Sequence, residues 1–454
     1  MMFKATEKGQ ELVLIVLAAV GLFAFAALAI DGSAVFSDRR HSQNASDTAA
    51  FAAALALTRD PASNWVQTGK DRALSNGYDE GDGITKIYVR LCSTPLTTDE
   101  GISLTCQGLP AGADPAQYVH VYIKSVVHLT FARIIGWQQV TNHTDAVVRA
   151  APPEVTTWYD GKALVSTMPG CRAPGNNYDP FVVGGNGTTI VNNSGIFVNS
   201  NCDPAFTDNG NSNLVTTSEG VCVVGGVPDD VTGVTPPPTG NCGTQVDLNK
   251  YVLPDPSAYC SQPGVITGSG GNYEATPGYY NKTGNKTFPD VSPSGTLKLQ
   301  RGIYCLYNGI SLNANWTITT DLDGDGVHDS DTEGAFFYIP DGGITFNGGS
   351  TFNVRAVNST ANGFPAQLLN YLIYIPPSNE ADVTISGNNG SIFTGTILAP
   401  SSHCTLDGSG NTFSLDTQII CHDVTITGGG FMNITYNQAN NAITTTKPTL
   451  APTK

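Results

Sequence analysis

The chain has 454 residues, enough for two or three domains or for one long repetitive domain. Charged residues make up only 13% of it, and its 50 Gly and 27 Pro favour short strands joined by tight turns over long helical bundles. The net charge of −16 excludes nucleic acid from the expected partners, because a phosphate-binding surface needs clustered Lys and Arg. Apolar residues make up 40% of the chain and can support a core, so we do not expect disorder of the whole chain.

Residues 12–30 read LVLIVLAAVGLFAFAALAI, 19 residues without a charge. A helix of this length spans about 28 Å, close to the hydrocarbon thickness of a bilayer, so the run predicts a transmembrane helix. A cleaved signal peptide is the alternative, since Ala27-Leu28-Ala29 fits a small-residue cleavage pattern, but the apolar run is longer than such peptides usually have. The Ala-rich stretch 38–57 lacks Gly and Pro, which predicts that the helix continues through residues 31–60.

Charge does not orient this helix, because Lys4 and Lys8 precede it and Arg39 and Arg40 follow it. The ten cysteines give a direction, since none forms a C-x-x-C pair and none lies in the apolar run. An even number of scattered cysteines indicates disulfides in an oxidising compartment, with buried free thiols as the alternative. We therefore predict a single-pass protein with residues 1–11 in the cytoplasm and the bulk of the chain extracytoplasmic or at the cell surface.

Cysteine connectivity does not follow from the sequence. Nearness along the chain supports two hypotheses, a Cys92–Cys106 pair and a Cys404–Cys421 pair.

Residues 61–152 contain alternating apolar runs that predict strands at 84–91 and 118–123, with a weaker strand at 146–150. Together with the helix before them, they predict a small α+β module close to the membrane. Pro152-Pro153 ends this pattern. Residues 153–238 are a Gly- and Asn-rich region with short strand patterns.

An internal repeat runs through residues 239–440, and its four copies begin at Gly309, Gly343, Asp382 and Asp423, which are 34, 39 and 41 residues apart. Each copy has two apolar residues separated by one polar residue, so both point to one face of a strand. Short strands repeated at such periods predict a solenoid, and we favour a parallel β-helix over a β-sandwich. The predicted fold class is therefore mainly β, with a transmembrane α-helix, an α+β module and a parallel β-helix. The tail, residues 441–454, is predicted to be disordered.

The segment behind the apolar run resembles the N-terminal segment of TadE/TadG-like Flp pilus-assembly proteins. The resemblance rests on Asp31, Arg39-Arg40, Gln43-Asn44-Ala45, Asp47 and the Ala-rich run to Ala56. Further stretches are similar to the end of that family's membrane-proximal module and to the β-helical surface domain that its members often carry; they are 132–136, 146–151 and 395–400. The resemblance implies a tight-adherence (Tad) pilus-associated envelope protein whose partners are the bilayer and the pilus machinery or other envelope proteins.

One feature departs from a prepilin-type processing site, in which Gly is followed five residues later by Glu. The fifth residue after Gly9 is Leu14, and Glu11 comes too early.

The segment 321–333 places carboxylates at alternate positions around glycines and resembles the calcium loops of thrombospondin type 3 repeats and EF-hands. The predicted ligands of a structural Ca²⁺ are Asp321, Asp323, Asp325, Val327 through its carbonyl, Asp329 and Glu333. A solvated acidic loop without an ion is the alternative.

Motifs of Ser hydrolases, zinc proteases and P-loop enzymes are missing from the sequence, and no catalytic residue is assigned. His403 and His422 are next to Cys404 and Cys421 in the sequence, so a Cys404–Cys421 disulfide would bring the two histidines together. We interpret this as a coincidence rather than as a metal site. We predict binding without turnover, with surface glycans as a further candidate ligand. The alternative is a membrane-tethered β-helix enzyme acting on polysaccharide, with Asp407, Asp416 and Asp423 as candidate carboxylates.

Overall fold

A computed structural model describes residues 8–453, apart from 172–178, 210–213, 313–314, 388–389 and 409–412. The chain divides into two compact units, Met1–Glu154 with Lys447–Lys454, and Val155–Thr446. The second unit is therefore an insertion in the sequence of the first. Strands of 153–238 pair with strands of 239–440, so the two ranges that the sequence suggested as separate regions form one unit.

The first unit combines two helices with a four-stranded antiparallel sheet of order β1-β4-β5-β33 and a separate β2–β3 pair. Its elements are α1 (Lys8–Arg59), α2 (Trp65–Ser75), β1 (Lys86–Leu91), β2 (Leu96–Thr97), β3 (Ser103–Leu104), β4 (Tyr118–His128), β5 (Gln139–Ala151) and β33 (Thr449–Thr453).

Helix α1 is continuous across Gly32, and the predicted extension beyond the apolar run is confirmed. Beyond the apolar run, α1 buries small residues on one face, namely Ala45, Ala49, Ala50, Ala53 and Ala54, which are all fully buried. These residues recur at helical spacing and let α1 lie close against β4, β5 and α2. The contact with α2 is tight, since a Cβ added at Gly69 would lie 3.1 Å from the Cβ of Ala53.

The sequence interpretation missed α2 and underestimated the length of β4 and β5, which form a long hairpin. Short, mixed-polarity helices such as α2 leave a weak periodic pattern, so the packing against α1 decides them. The predicted disordered tail is also wrong for the described residues up to 453. Strand β33 pairs with β5, where Leu450 lies opposite Ala150 and packs against the core of the first unit. Pro452 is tolerated because β33 is an edge strand.

The second unit is built almost entirely of short strands. They are β6 (Val155–Thr157), β7 (Leu164–Ser166), β8 (Phe181–Val183), β9 (Thr188–Asn192), β10 (Ile196–Val198), β11 (Phe206–Asp208), β12 (Leu214–Thr217), β13 (Val221–Val223), β14 (Val234–Thr235), β15 (Ile266–Ser269), β16 (Asn272–Ala275), β17 (Gly278–Tyr280), β18 (Thr296–Leu299), β19 (Gly302–Leu306), β20 (Ile310–Leu312), β21 (Thr317–Thr319), β22 (Ala335–Tyr338), β23 (Ile344–Phe346), β24 (Thr351–Arg355), β25 (Tyr371–Tyr374), β26 (Val383–Ser386), β27 (Ile392–Thr394), β28 (Thr396–Gly408), β29 (Phe413–Asp416), β30 (Ile419–Gly428), β31 (Phe431–Thr435) and β32 (Ile443–Thr445). Strand β32 pairs with β6, so residues 443–445 of the predicted disordered tail are also ordered.

The other strands of this unit form a 14-stranded sheet and an 11-stranded sheet, in which the pairing is parallel except between β15 and β16. The chain alternates between the two sheets, as in β22 and β23 of the first sheet followed by β24 of the second. The order of the strands within the sheets does not follow their order in the sequence. The first strand of the large sheet, β7, pairs with its last, β30, so that Leu164 lies opposite Ile419.

The four predicted repeats fall in one ladder, β20-β23-β26-β28-β30, in which the residues at equivalent positions are direct partners. Ile310 pairs with Ile344, and Ile344 pairs with Val383. The inward residues of all four repeats are buried, as predicted. A fifth copy that the sequence interpretation overlooked, Cys404–Gly408 in β28, lies between the third and the fourth.

Two glycines at the start of these repeats have a steric role. Gly309 has φ 76°, and a Cβ there would lie 2.1 Å from the carbonyl oxygen of Gly343. A Cβ at Gly343 would lie 2.4 Å from the carbonyl oxygen of Asp382. The strands at this point of the ladder are therefore too close for any side chain.

All ten cysteines form disulfides, Cys92–Cys106, Cys171–Cys202, Cys222–Cys242, Cys260–Cys305 and Cys404–Cys421. Both hypothesised pairs are confirmed. The other three disulfides were not suggested by nearness along the chain. They depend on which segments the fold places side by side, as for Cys305 in β19.

We expect Ile385→Ala in β26 to destabilise the second unit by about 2–5 kcal/mol, because it leaves a cavity at a fully buried position. Chemical denaturation of the full chain in detergent, followed by intrinsic fluorescence, measures the change. Thr384→Ala, on the outward face of the same strand, is the matched control and should shift the transition by less than about 1 kcal/mol. Equal effects of the two substitutions would contradict the inward orientation of Ile385.

Candidate functional site

The predicted calcium loop connects β21 to β22 and is anchored at both ends by the two sheets. Within it, carboxylate oxygens of Asp321, Asp323 and Asp325 lie within 4.8 Å of one another. Among the described residues, no other group of three His, Cys, Asp or Glu has its potential ligand atoms this close. The structure therefore brings together the first three of the predicted ligands.

Asp321 builds the turn that gathers these carboxylates. Its Oδ1 accepts a hydrogen bond from the amide of Gly324 at 2.6 Å, and its Oδ2 accepts one from the amide of Gly326 at 3.0 Å. Asp325 in turn accepts from the amide of Val327 at 2.6 Å. Both glycines have positive φ, 83° and 77°, which explains why glycine alternates with aspartate here.

Glu333 closes the base of the loop. Its side chain is 2% exposed, and its two carboxylate oxygens accept hydrogen bonds from the amides of Leu322 at 2.7 Å and Asp329 at 3.0 Å. His328 lies beside it, with Nδ1 3.6 Å from the carboxylate. Burial lowers the pKa of His328, and Arg355 lowers it further, while Glu333 opposes both.

The donor set of this loop suits a hard divalent cation. Three carboxylates at close range repel one another unless a cation neutralises them, and calcium prefers oxygen ligands. Asp329 and Glu333 lie outside the group of three whose carboxylate oxygens are within 4.8 Å of one another. Glu333 instead accepts hydrogen bonds from the amides of Leu322 and Asp329. The assignment of Val327, Asp329 and Glu333 as ligands stays a prediction.

A second polar cluster lies beside the Cys404–Cys421 disulfide. Asp423 is almost fully buried, and its carboxylate contacts Nδ1 of His403 and, at 3.0 Å, Nδ1 of His422. Burial acts to raise the pKa of Asp423, but the hydrogen bonds from the two imidazoles outweigh it and hold that pKa below its ordinary value. The two histidines therefore lie together because they compensate one buried carboxylate, which the sequence had suggested only as coincidence.

The three carboxylates considered for a glycosidase lie on three strands, Asp407 in β28, Asp416 in β29 and Asp423 in β30. Asp416 belongs to the other sheet from the two that flank it in sequence. Burial raises its pKa, although Asn440 donates a hydrogen bond to it at 2.6 Å. Asp423 is committed to His403 and His422.

The first unit contains a cavity of about 740 Å³ along α1, β4 and β5. His120 lines it and is buried, with Nε2 3.2 Å from a carboxylate oxygen of Asp145. Gln43 on α1 donates to the carbonyl of Asp145 at 3.0 Å. The cavity thus combines apolar walls with an imidazole and carboxylates. The periodicity of the sequence did not predict this combination.

Asp38 joins α1 to the β4–β5 hairpin. One of its carboxylate oxygens accepts hydrogen bonds from Oγ of Ser125 at 2.6 Å and from Nδ2 of Asn142 at 2.7 Å. The other accepts from the hydroxyl of Tyr78 at 3.1 Å. Burial raises the pKa of Tyr78, and the charge of Asp38 raises it further. One helical carboxylate thereby fixes three segments of the module.

One helix of the described chain, Val13–Arg59, is long and apolar enough to cross a membrane, and its most apolar window is fully exposed. This is consistent with a single-pass membrane anchor. Residues 9–56 match the family model described as "Putative Flp pilus-assembly TadE/G-like", which supports a Tad pilus-related family for this segment. No curated protein and no solved structure matches the chain.

We expect Asp38→Ala to destabilise the first unit by about 1.5–3 kcal/mol, because it leaves buried donors of Ser125 and Asn142 without their charged acceptor. Hydrogen exchange of the β4–β5 amides in the detergent-solubilised chain measures the loss of protection. Ser37→Ala, at the exposed neighbouring position, is the control and should leave exchange unchanged. Unchanged protection in Asp38→Ala would show that the apolar core alone holds the hairpin.

Proposed function

We propose that this protein is an extracytoplasmic envelope protein, anchored by α1, that acts with the Tad/Flp pilus machinery or in surface attachment by binding rather than catalysis. The observation that carries the proposal is the family match at residues 9–56. The match spans both the apolar run, which is proposed as the membrane anchor, and the alanine face, which packs against the rest of the first unit.

The proposed orientation places the N-terminus in the cytoplasm and both units outside. It is supported by the five disulfides, which lie in both units and are typical of an oxidising compartment. Cytosolic thiols of this number would be kept reduced.

We propose further that the two parallel sheets of the second unit are faces of a parallel β-helix. Support comes from the regular alternation of the chain between the sheets and from ladders in which equivalent residues of successive repeats pair directly. Such a stack presents long rows of outward residues. From 302 to 440 the chain has no Lys and a single Arg, so these rows would be neutral to acidic and would suit a neutral or cationic surface or protein partner.

A bound Ca²⁺ at Asp321, Asp323 and Asp325 has a structural role in this proposal. It would neutralise the clustered carboxylates and fix the loop between β21 and β22, beside β24. The convergence of the three carboxylates supports this assignment.

Deleting the gene should reduce piliation or surface attachment, because the anchor segment is proposed to work with the pilus machinery. Electron microscopy of cells and an attachment assay measure the outcome, and complementation with the full-length gene should restore it. Intact pili together with normal attachment would contradict the proposal. Release of sugar from a glycan panel by the purified chain would favour the polysaccharide-acting alternative.

Asp323→Asn and Asp325→Asn should each weaken Ca²⁺ binding by about tenfold or more, since each removes a charged oxygen ligand. Isothermal titration of the purified full chain with CaCl₂ measures the affinity. Asp341→Asn, an exposed aspartate outside the cluster, is the matched control and should bind as the unmodified chain does. Absence of calcium binding by the unmodified chain would identify the segment as a solvated acidic loop.

A further inference from the structure

The β4–β5 hairpin ends in a tip, residues 129–138, that exposes several apolar side chains. We infer that this tip lies in the headgroup layer of the same bilayer that α1 crosses, as a second membrane contact of the module. The inference rests on where the tip is held, on its rigidity and on the side chains that it exposes.

The tip is held at the residue where the apolar run ends. Asp31 follows Ile30 directly and is 6% exposed. Its carboxylate accepts hydrogen bonds from the amides of Thr130 at 2.9 Å, Phe131 at 3.0 Å and Ala132 at 2.7 Å. Burial acts to raise the pKa of Asp31, but the hydrogen bonds from the three amides outweigh it and hold that pKa below its ordinary value.

A second clamp prevents the hairpin from pivoting away from α1. Asn142 donates from Nδ2 to the carbonyl of Val35 at 3.1 Å and to Asp38 at 2.7 Å. Asp31 and Asp38 are seven residues apart, two helical turns on one face of α1. The tip therefore stays beside the first extramembrane turn of the helix.

The tip is an ordered turn rather than a loose loop. The amide of Ile134 donates to the carbonyl of Phe131, that of Gly136 to Arg133 and that of Trp137 to Ala132, at 3.0–3.1 Å. Gly136 closes the turn with φ 93°, a conformation that glycine adopts without strain. The backbone thus fixes the directions of the side chains that follow.

Those side chains are large, apolar and exposed. Phe131 is 39% exposed, Ile134 86% and Trp137 69%, and Arg133 is exposed between them. Three such residues on one ordered turn form an apolar patch that water disfavours, and such patches mark interaction sites. Tryptophan prefers the membrane interface, and arginine is attracted to lipid phosphates.

The depth of the interface fits this placement. A bilayer has a headgroup layer of about 5–7 Å on each side of its hydrocarbon core. On α1, Phe36 is 70% exposed and lies five residues beyond Asp31, about 7.5 Å further along the helix. The exposed apolar surface of α1 therefore extends beyond Asp31 by about the thickness of that layer. Because the tip is hydrogen-bonded to α1 at the residue that follows the apolar run, we take the lipid of the same bilayer as the occupant of the patch.

Tryptophan quenching in proteoliposomes tests the inference. The purified full chain is reconstituted into phosphatidylcholine and phosphatidylglycerol vesicles with lipids brominated near the top of the acyl chain. We expect these lipids to quench part of the fluorescence of the unmodified chain and expect Trp137→Phe to abolish most of that quenching. Trp65→Phe is the matched control and should leave it unchanged. Trp65 lies near Ala56, about 37 Å along α1 from Asp31, because Ser63 donates to the carbonyl of Ala56.

A second pair of variants tests the tip without removing the probe. Ile134→Asp should reduce quenching of Trp137 at least twofold, because it places a charge in the apolar patch. Leu74→Asp, at a half-exposed position on α2, should not. The end of α2 is held about 25 Å along α1 from Asp31, because Nδ2 of Asn76 donates a hydrogen bond to the hydroxyl of Thr48.

Two results would overturn the inference. If bromolipids leave Trp137 unquenched while aqueous acrylamide reaches it, the tip lies in water. If neither quencher reaches Trp137, protein rather than lipid covers the patch.

Discussion

Backbone pairing between parallel strands is the constraint on which residues 155–446 depend. Each short strand leaves its amides and carbonyls for its two neighbours, so no strand is stable alone. Because side chains alternate with period two, the register that satisfies the backbone also decides what is buried. Ile310, Ile344 and Val383 occupy one row for this reason, and a slip by one residue would move the row into solvent. At the start of two repeats only glycine fits, because a Cβ at Gly309 or Gly343 would lie 2.1 or 2.4 Å from a carbonyl oxygen of the next repeat.

The first unit joins an apolar helical segment, which is consistent with a membrane anchor, to a compact α+β module. From Leu12 to Ile30, α1 is apolar on all sides, as a hydrocarbon environment would require. Beyond it the helix buries one narrow alanine face, and its carboxylates Asp31 and Asp38 satisfy buried donors of the hairpin. The hairpin is attached rigidly to α1 by charged hydrogen bonds next to the apolar run and by close packing further along the helix. The family match covers this whole transition, which is where the chain has a defined relationship to other proteins.

The sequence predicts the acidic loop but does not indicate which of its carboxylates converge and which one braces the loop. Alternating Asp and Gly predicts convergent oxygens, and Asp321, Asp323 and Asp325 do converge. The buried position of Glu333 depends on β22 and on the backbone amides it meets, so its role in bracing the loop was visible only in the structure. His403 and His422 are a similar case, since only the pairing of β28 with β30 brings them to Asp423.

The sequence by itself determined the apolar helix, its alanine-rich continuation, the β-rich character of the remainder and the buried face of each repeat. These follow from local periodicity and composition, which act within a few residues. The tertiary structure alone decided the order of strands, in which Leu164 meets Ile419, and the return of the tail to β5. Such pairings join segments hundreds of residues apart. Their selection depends on the closure of long loops and on the packing of the whole stack, which no local pattern encodes.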